Sequence, residues 1–170
     1  MPAPAPLRRA LGVLAVASAT AALSGCAFLS QFTGAGEAQR DTEGQVVEGN
    51  ESTDVFTLRV GDCLNDSGAT EQVETVPTTP CDEPHDSEVY ASVIMTEDDY
   101  PRQEAILERA DVECLTEFEA FVGGSWDDSP YDFSYYFPTE GSWGEGDREI
   151  LCVIYDPAGP VTGSLEGSAS

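Results

Sequence analysis

The clearest pattern in the chain is a stripe with a period of four. Ile106, Ala110, Cys114, Phe118 and Val122 recur at helical spacing, flanked by Leu107, Leu115 and Phe121. Asp98 or Asp99 is placed to cap this helix, Pro101 suits its first position, and Gly123-Gly124 stops it. Its opposite face carries Glu104, Glu108, Asp111, Glu113, Glu117 and Glu119, offset only by Arg102 and Arg109. Pairing at i,i+4 therefore stabilises it little, and Glu117 and Glu119 oppose the helix dipole. The helix depends on burying its stripe. Residues 55–60 alternate, with Phe56, Leu58 and Val60 on one face, which predicts a half-buried strand. Residues 72–76 and 88–95 predict two more strands. Residues 148–155, apolar on both faces from Ile150 onward, predict a central strand covered on both sides. Residues 161–165 suit a short edge strand, and 125–143 form an irregular aromatic stretch. The expected fold is α+β, a small antiparallel sheet of four or five strands covered by one main helix.

The first 53 residues do not share this patterning. Arg8 and Arg9 precede an apolar run, residues 10–23, that is too short to span a bilayer. It ends in Leu23-Ser24-Gly25-Cys26, which resembles a bacterial lipobox. That resemblance implies a lipoprotein signal peptide over 1–25 and a lipidated Cys26 carrying enough acyl chains for a durable anchor. Residues 26–53 then read as an acidic flexible tether, polar and glycine-containing. The globular domain is expected over 54–170.

Removing Cys26 leaves Cys63, Cys81, Cys114 and Cys152, an even set in an exported chain. Three pairings are formally open. The economical one joins Cys63 to Cys81 beside the first and third strands, and Cys114 on the helix stripe to Cys152 in the central strand. A C-x-x-C pair is lacking, which weighs against zinc. No cofactor is expected.

Charge narrows the partners. The chain has 32 acids, seven arginines and no lysine, for a formal charge of −25. After residue 25 five arginines face all 32 acids, a formal −27. Nucleic acid is excluded, because its affinity comes from neutralising phosphates with Lys and Arg. Membrane contact is expected through the lipid anchor alone. Any partner should be basic, cationic or neutral: an envelope or division protein, or a cell-wall polymer.

His85 is the single histidine, within Cys81-Asp-Glu-Pro-His-Asp-Ser-Glu-Val89. Asp82, Glu83, Asp86 and Glu88 could supply oxygens to a cation, but no EF-hand spacing is present, and no metal site is expected. A triad with Ser87 lacks the G-x-S-x-G elbow. The favoured role is structural. Pro84 holds Glu83 extended, and the imidazole fastens the entry to the next strand through hydrogen bonds to backbone. Asp147 is expected to make the turn before the central strand, with Arg148 satisfying nearby carboxylates. Trp126 and Trp143, at the ends of the aromatic stretch, are expected as core and cover, although aromatic loops also hold glycans or peptides.

Taken together, Gly61-Asp62-Cys63-Leu64, Cys81-x-x-Pro84-His85-x-x-Glu88-Val89, Cys114 in a helix, and Trp143-x-x-Gly146-Asp147-Arg148 leading to Cys152 resemble the domain family called septum formation. That family occurs in actinobacterial exported and membrane proteins. The resemblance spans roughly 57–165 and implies a link to the cell envelope or cell division. It brings no established reaction and no catalytic residues. The preferred function is a non-enzymatic, lipid-anchored extracytoplasmic binding or structural module. The alternatives are a cell-wall glycan or peptide hydrolase using acids near the aromatic loop, and a cation-binding surface lipoprotein.

Overall fold

The computed structural model describes residues 36–67 and 73–169. The expected signal peptide over 1–25 and the expected lipidation at Cys26 fall outside the described residues.

Eight strands and two α-helices are present among the described residues. Strands β1 (Gln39–Arg40) and β2 (Val46–Glu48) form a small antiparallel hairpin. Its turn is local chemistry: Asp41 Oδ1 accepts the amides of Glu43 and Gln45, both at 2.9 Å. Then come β3 (Asn50–Asp54), β4 (Cys63–Leu64), β5 (Thr75–Thr79), β6 (Ser87–Ile94), α1 (Gln103–Val122), β7 (Asp132–Tyr136), α2 (Glu140–Gly144) and β8 (Glu149–Tyr155). The main sheet runs in the order β3-β5-β4-β6-β8-β7, antiparallel throughout.

Helix α1 covers one face. Its buried residues are the predicted five, Ile106, Ala110, Cys114, Phe118 and Val122. They pack on Tyr90, Ala91, Ile150, Cys152 and Ile154. Strand β8 lies between β6 and β7 and is buried on both faces from Ile150 to Ile154, as its unbroken apolar run requires. Its other face, Leu151 and Val153, joins Leu58, Leu64, Val76 and Val89 in a second core, enclosed as the sheet curls. A register shift between Val89 and Ala91 serves both cores. It turns Tyr90 and Ala91 alike toward α1, where strict alternation would separate them.

Both expected disulfides are present: Cys63–Cys81, with Cα atoms 5.3 Å apart, and Cys114–Cys152, at 5.5 Å. The second bolts α1 to the central strand.

Several expectations are corrected. The sheet has six strands, with a separate two-stranded hairpin, rather than four or five strands. Residues 55–60 are not a strand. The Asp54 carboxylate accepts Phe56 N, and Thr57 Oγ1 donates to Asp54 O. These local bonds wind Val55–Thr57 into a single 3-10 turn and leave Phe56 and Val60 exposed. The strand lies just upstream, in the polar Asn50–Asp54, so the domain boundary expected at 54 falls at the end of β3. Residues 36–53, expected as tether, are folded: Gly36 bonds to Ser52 and Asp54, and β3 pairs with β5. Gly49 is needed there, since a Cβ would sit 2.2 Å from the Thr78 carbonyl oxygen.

The predicted second strand, 72–76, is shifted to Thr75–Thr79 and carries Pro77 inside it. Helix α1 starts later than expected, at Gln103, and no aspartate caps it. Arg102 takes the cap position at φ 72°, without a side-chain bond. The Asp98 carbonyl is instead held by Trp143 Nε1 at 3.2 Å, and Tyr100 packs edge-on against Trp143 at 5.7 Å. The aromatic stretch is not irregular throughout, because it contains β7 and α2. Residues 161–165 form no strand. Only Val161 bridges, to His85, and the chain then crosses the end of α1, where Gly167 and Ala169 donate to Phe121 O and Val122 O.

Candidate functional site

The residues singled out in sequence fall into two groups. His85 and Glu88 form a buried clasp. His85 is fully buried, bonds Val161 through both backbone groups at 2.9 Å, and places Nδ1 2.8 Å from Glu83 O. A carbonyl can only accept, so Nδ1 carries the proton. Nε2 is buried and has no hydrogen-bond partner among the described residues. Glu88, nearly fully buried, accepts Ser164 Oγ and Leu165 N, both at 2.7 Å. Two such bonds satisfy a buried carboxylate and hold the C-terminal segment on the fold.

Asp147 accepts Ser142 Oγ at 2.8 Å and Glu149 N at 3.1 Å, which joins α2 to β8. Arg148 is a correction. It satisfies carbonyls, not carboxylates: Nη1 donates to Trp143 O at 2.8 Å and Asp147 O at 2.7 Å. Its guanidinium lies 3.8 Å from the Trp143 ring centroid, a cation–π contact. Trp143 is core. Trp126 is exposed at the surface, with Nε1 donating to Asp132 Oδ1 at 3.1 Å.

Of these residues, only Asp147 reaches the groove beside β7, at its wall. An open groove of ≈ 1450 Å³ runs along β7 and collects Tyr136, Leu151, Ser87 and Asp66, the segment 100–103, and α2. Six acids line it (Asp66, Asp86, Glu140, Asp147, Glu149 and Asp156) against one cation, Arg102. Tyr100, Tyr135, Tyr136, Phe137 and Tyr155 supply aromatic surface. Asp66 is organised there, accepting Tyr136 Oη at 2.6 Å and Ser87 Oγ at 2.7 Å. Burial, reinforced by the Asp66 charge and bond, pushes the Tyr136 phenol well above its ordinary range. Burial with the Asp111 contact pushes Tyr135 up to about 12. Both phenols therefore stay neutral donors. A second, smaller hollow of ≈ 420 Å³ lies on the α1 side of β7, between Leu115, Trp126 and Phe133. Among the described residues, no three of His, Cys, Asp and Glu converge as a metal site.

Sequence reading missed the groove because its walls come from segments far apart in the chain. It also missed Arg40, whose guanidinium pairs with the buried Asp62 carboxylate, Nη2 to Oδ2 at 2.6 Å. Arg40 sits in the presumed tether, and no local pattern links it to Asp62. The only available signal was an aspartate next to a cysteine at a strand start.

No curated protein and no solved structure matches the chain. Residues 60–169, most of the described fold, match the family model described as septum formation. The chain belongs to the septum formation family.

Proposed function

We propose that this protein is a lipid-anchored, extracytoplasmic binding module of the cell envelope that performs no catalysis. Cys26 carries the lipid, and the groove beside β7 receives a cationic or neutral envelope or division partner. The observation that carries this reading is the wall chemistry: six acids against one arginine, interleaved with tyrosines whose hydroxyls remain protonated. Such a surface attracts positive charge over distance and offers aromatic faces on contact. The two disulfides are in keeping with an oxidising compartment.

A photo-crosslinking residue introduced at Ser67 or Gln103, in the groove, should capture one defined partner in cells. The same residue at Val112, exposed on α1, should not. Equal capture at all three positions, or recovery of a cell-wall glycan or peptide that is cleaved on incubation, overturns the reading. Labelling with an alkyne fatty acid tests the anchor: Cys26→Ala should lose the label and release the chain from the membrane.

A further inference from the structure

The groove is half of a larger arrangement. Strand β7 is the last strand of the sheet, paired on one side only, with β8. Among the described residues, no backbone–backbone hydrogen bond reaches its outer edge; only the Phe133 amide is engaged, locally, by Asp132 Oδ1 at 2.9 Å. An open edge is a template for another strand, and proteins usually blunt it with lysine, proline or a covering loop. The sequence of β7, Asp-Phe-Ser-Tyr-Tyr, contains neither lysine nor proline.

The two concavities meet along this edge and share Ser134 and Tyr135. Tyr136 lines the larger groove, whereas Phe133 meets Trp126 and Leu115 in the smaller hollow, with Asp111 and Asp132 at its wall. Trp126 stands edge-on to Phe133 at 6.2 Å, forming an apolar wall beside the strand. An added strand would send successive side chains alternately to the two faces. One set would enter the acidic, tyrosine-lined groove. The other would enter the hollow made by Leu115, Trp126 and Phe133.

We propose that β7 is a strand-addition site for an extended segment of a partner protein. That segment carries Arg or Lys at alternate positions and small aliphatic residues between them. Main-chain bonds to β7 supply affinity, and the two faces select the pattern. A second copy of this chain fits poorly, because each copy has a formal charge of −25. The inference rests on the binding-module reading and specifies how that module engages its partner.

The test uses the full chain in detergent and fluorescent octapeptides of alternating Arg and Val. Controls are an isomer with the arginines and valines in separate blocks, and two N-methylated versions, one for each alternate set of amides. Strand addition requires the alternating peptide to bind about 10-fold tighter than the blocked isomer. One N-methyl set should abolish binding and the other should be tolerated, since only alternate amides face β7. Amides on the outer edge of Asp132–Tyr136 should also exchange at least about 10-fold more slowly in the complex. If all peptides bind alike, the acidic groove reads charge alone; the edge proposal falls and the binding module stands. If no peptide binds while crosslinks from Ser67 and Gln103 persist in cells, the edge proposal again falls alone.

Discussion

The two halves of the sheet are held by different physics. On the α1 side, Ile106, Phe118, Ile150 and Ile154 form a dry apolar core, and the aromatic pair Tyr90–Phe118 packs at 6.1 Å. On the N-terminal side the apolar core is smaller, Leu58, Leu64 and Val76 with Val89, Leu151 and Val153, and buried polar contacts add to it. Arg40 pairs with buried Asp62, which also accepts Arg59 N at 2.8 Å. Thr53 and Thr78 share a buried hydroxyl contact at 2.7 Å, and Cys63–Cys81 ties the short β4 to the loop before β6. Apolar packing tolerates conservative exchange, because similar volume suffices. A buried polar contact does not, because removing one partner strands the other. Two halves of comparable order should therefore respond differently to mutation.

The largest effect should come from Arg40→Ala. It leaves Asp62 charged and buried, a change that typically costs about 3–5 kcal/mol. Urea denaturation would measure it, and a loss below about 1 kcal/mol would show that the hairpin is not coupled to the sheet. Removing the disulfides tests the same contrast covalently. Loop-closure entropy ranks Cys114–Cys152, separated by 38 residues, above Cys63–Cys81, separated by 18. The double-serine variants should lose about 4 and about 3 kcal/mol respectively. The reverse order would show that the polar half relies more on its bridge than chain entropy alone predicts.

Glu88→Ala should cost about 1–3 kcal/mol, because it leaves the donors Ser164 Oγ and buried Leu165 N without their acceptor. Proteolysis should then begin in the C-terminal segment, and unchanged protease resistance would argue against the clasp.

The smallest effect appears only in alkali. Tyr90 and Tyr136 are held neutral, chiefly by burial, with their phenol pKa values raised above the ordinary 10. Above pH 10 the unfolded chain loses these protons and the folded one keeps them, so stability falls as pH rises. It should be level below about pH 10 with respect to these groups, then decline toward the raised folded values. Tyr136→Phe should flatten part of that decline, read as the urea midpoint between pH 8 and 11.

What was legible in the sequence follows the same division. The stripe of α1 and the central β8 were readable because apolar periodicity reports burial directly, and the two disulfide pairings followed from an even cysteine count and the placing of the cysteines along the chain. Strand β3, Asn-Glu-Ser-Thr-Asp, was not. Its partner is β5, and its one fully buried residue, Thr53, is polar. The alternating residues 55–60 misled for the converse reason: two of the three apolar side chains on that face are exposed, and Asp54 winds the backbone locally. Of the residues named beforehand, His85 and Glu88 proved to be buried anchors, and Trp143 and Arg148 stack on one another.

The sequence by itself determined the covalent frame, the helix and its covered face, the strongly acidic charge, and the family. These are written in local spacing, composition and short motifs. Only the tertiary structure decided that residues 36–54 belong to the fold, that Asp62 finds its counter-charge 22 positions upstream, and that β7 lies at the rim between an acidic groove and the hollow of Leu115, Trp126 and Phe133. Each of those depends on which distant segments meet. That meeting is set by sheet order and curl, which no local run of side chains encodes.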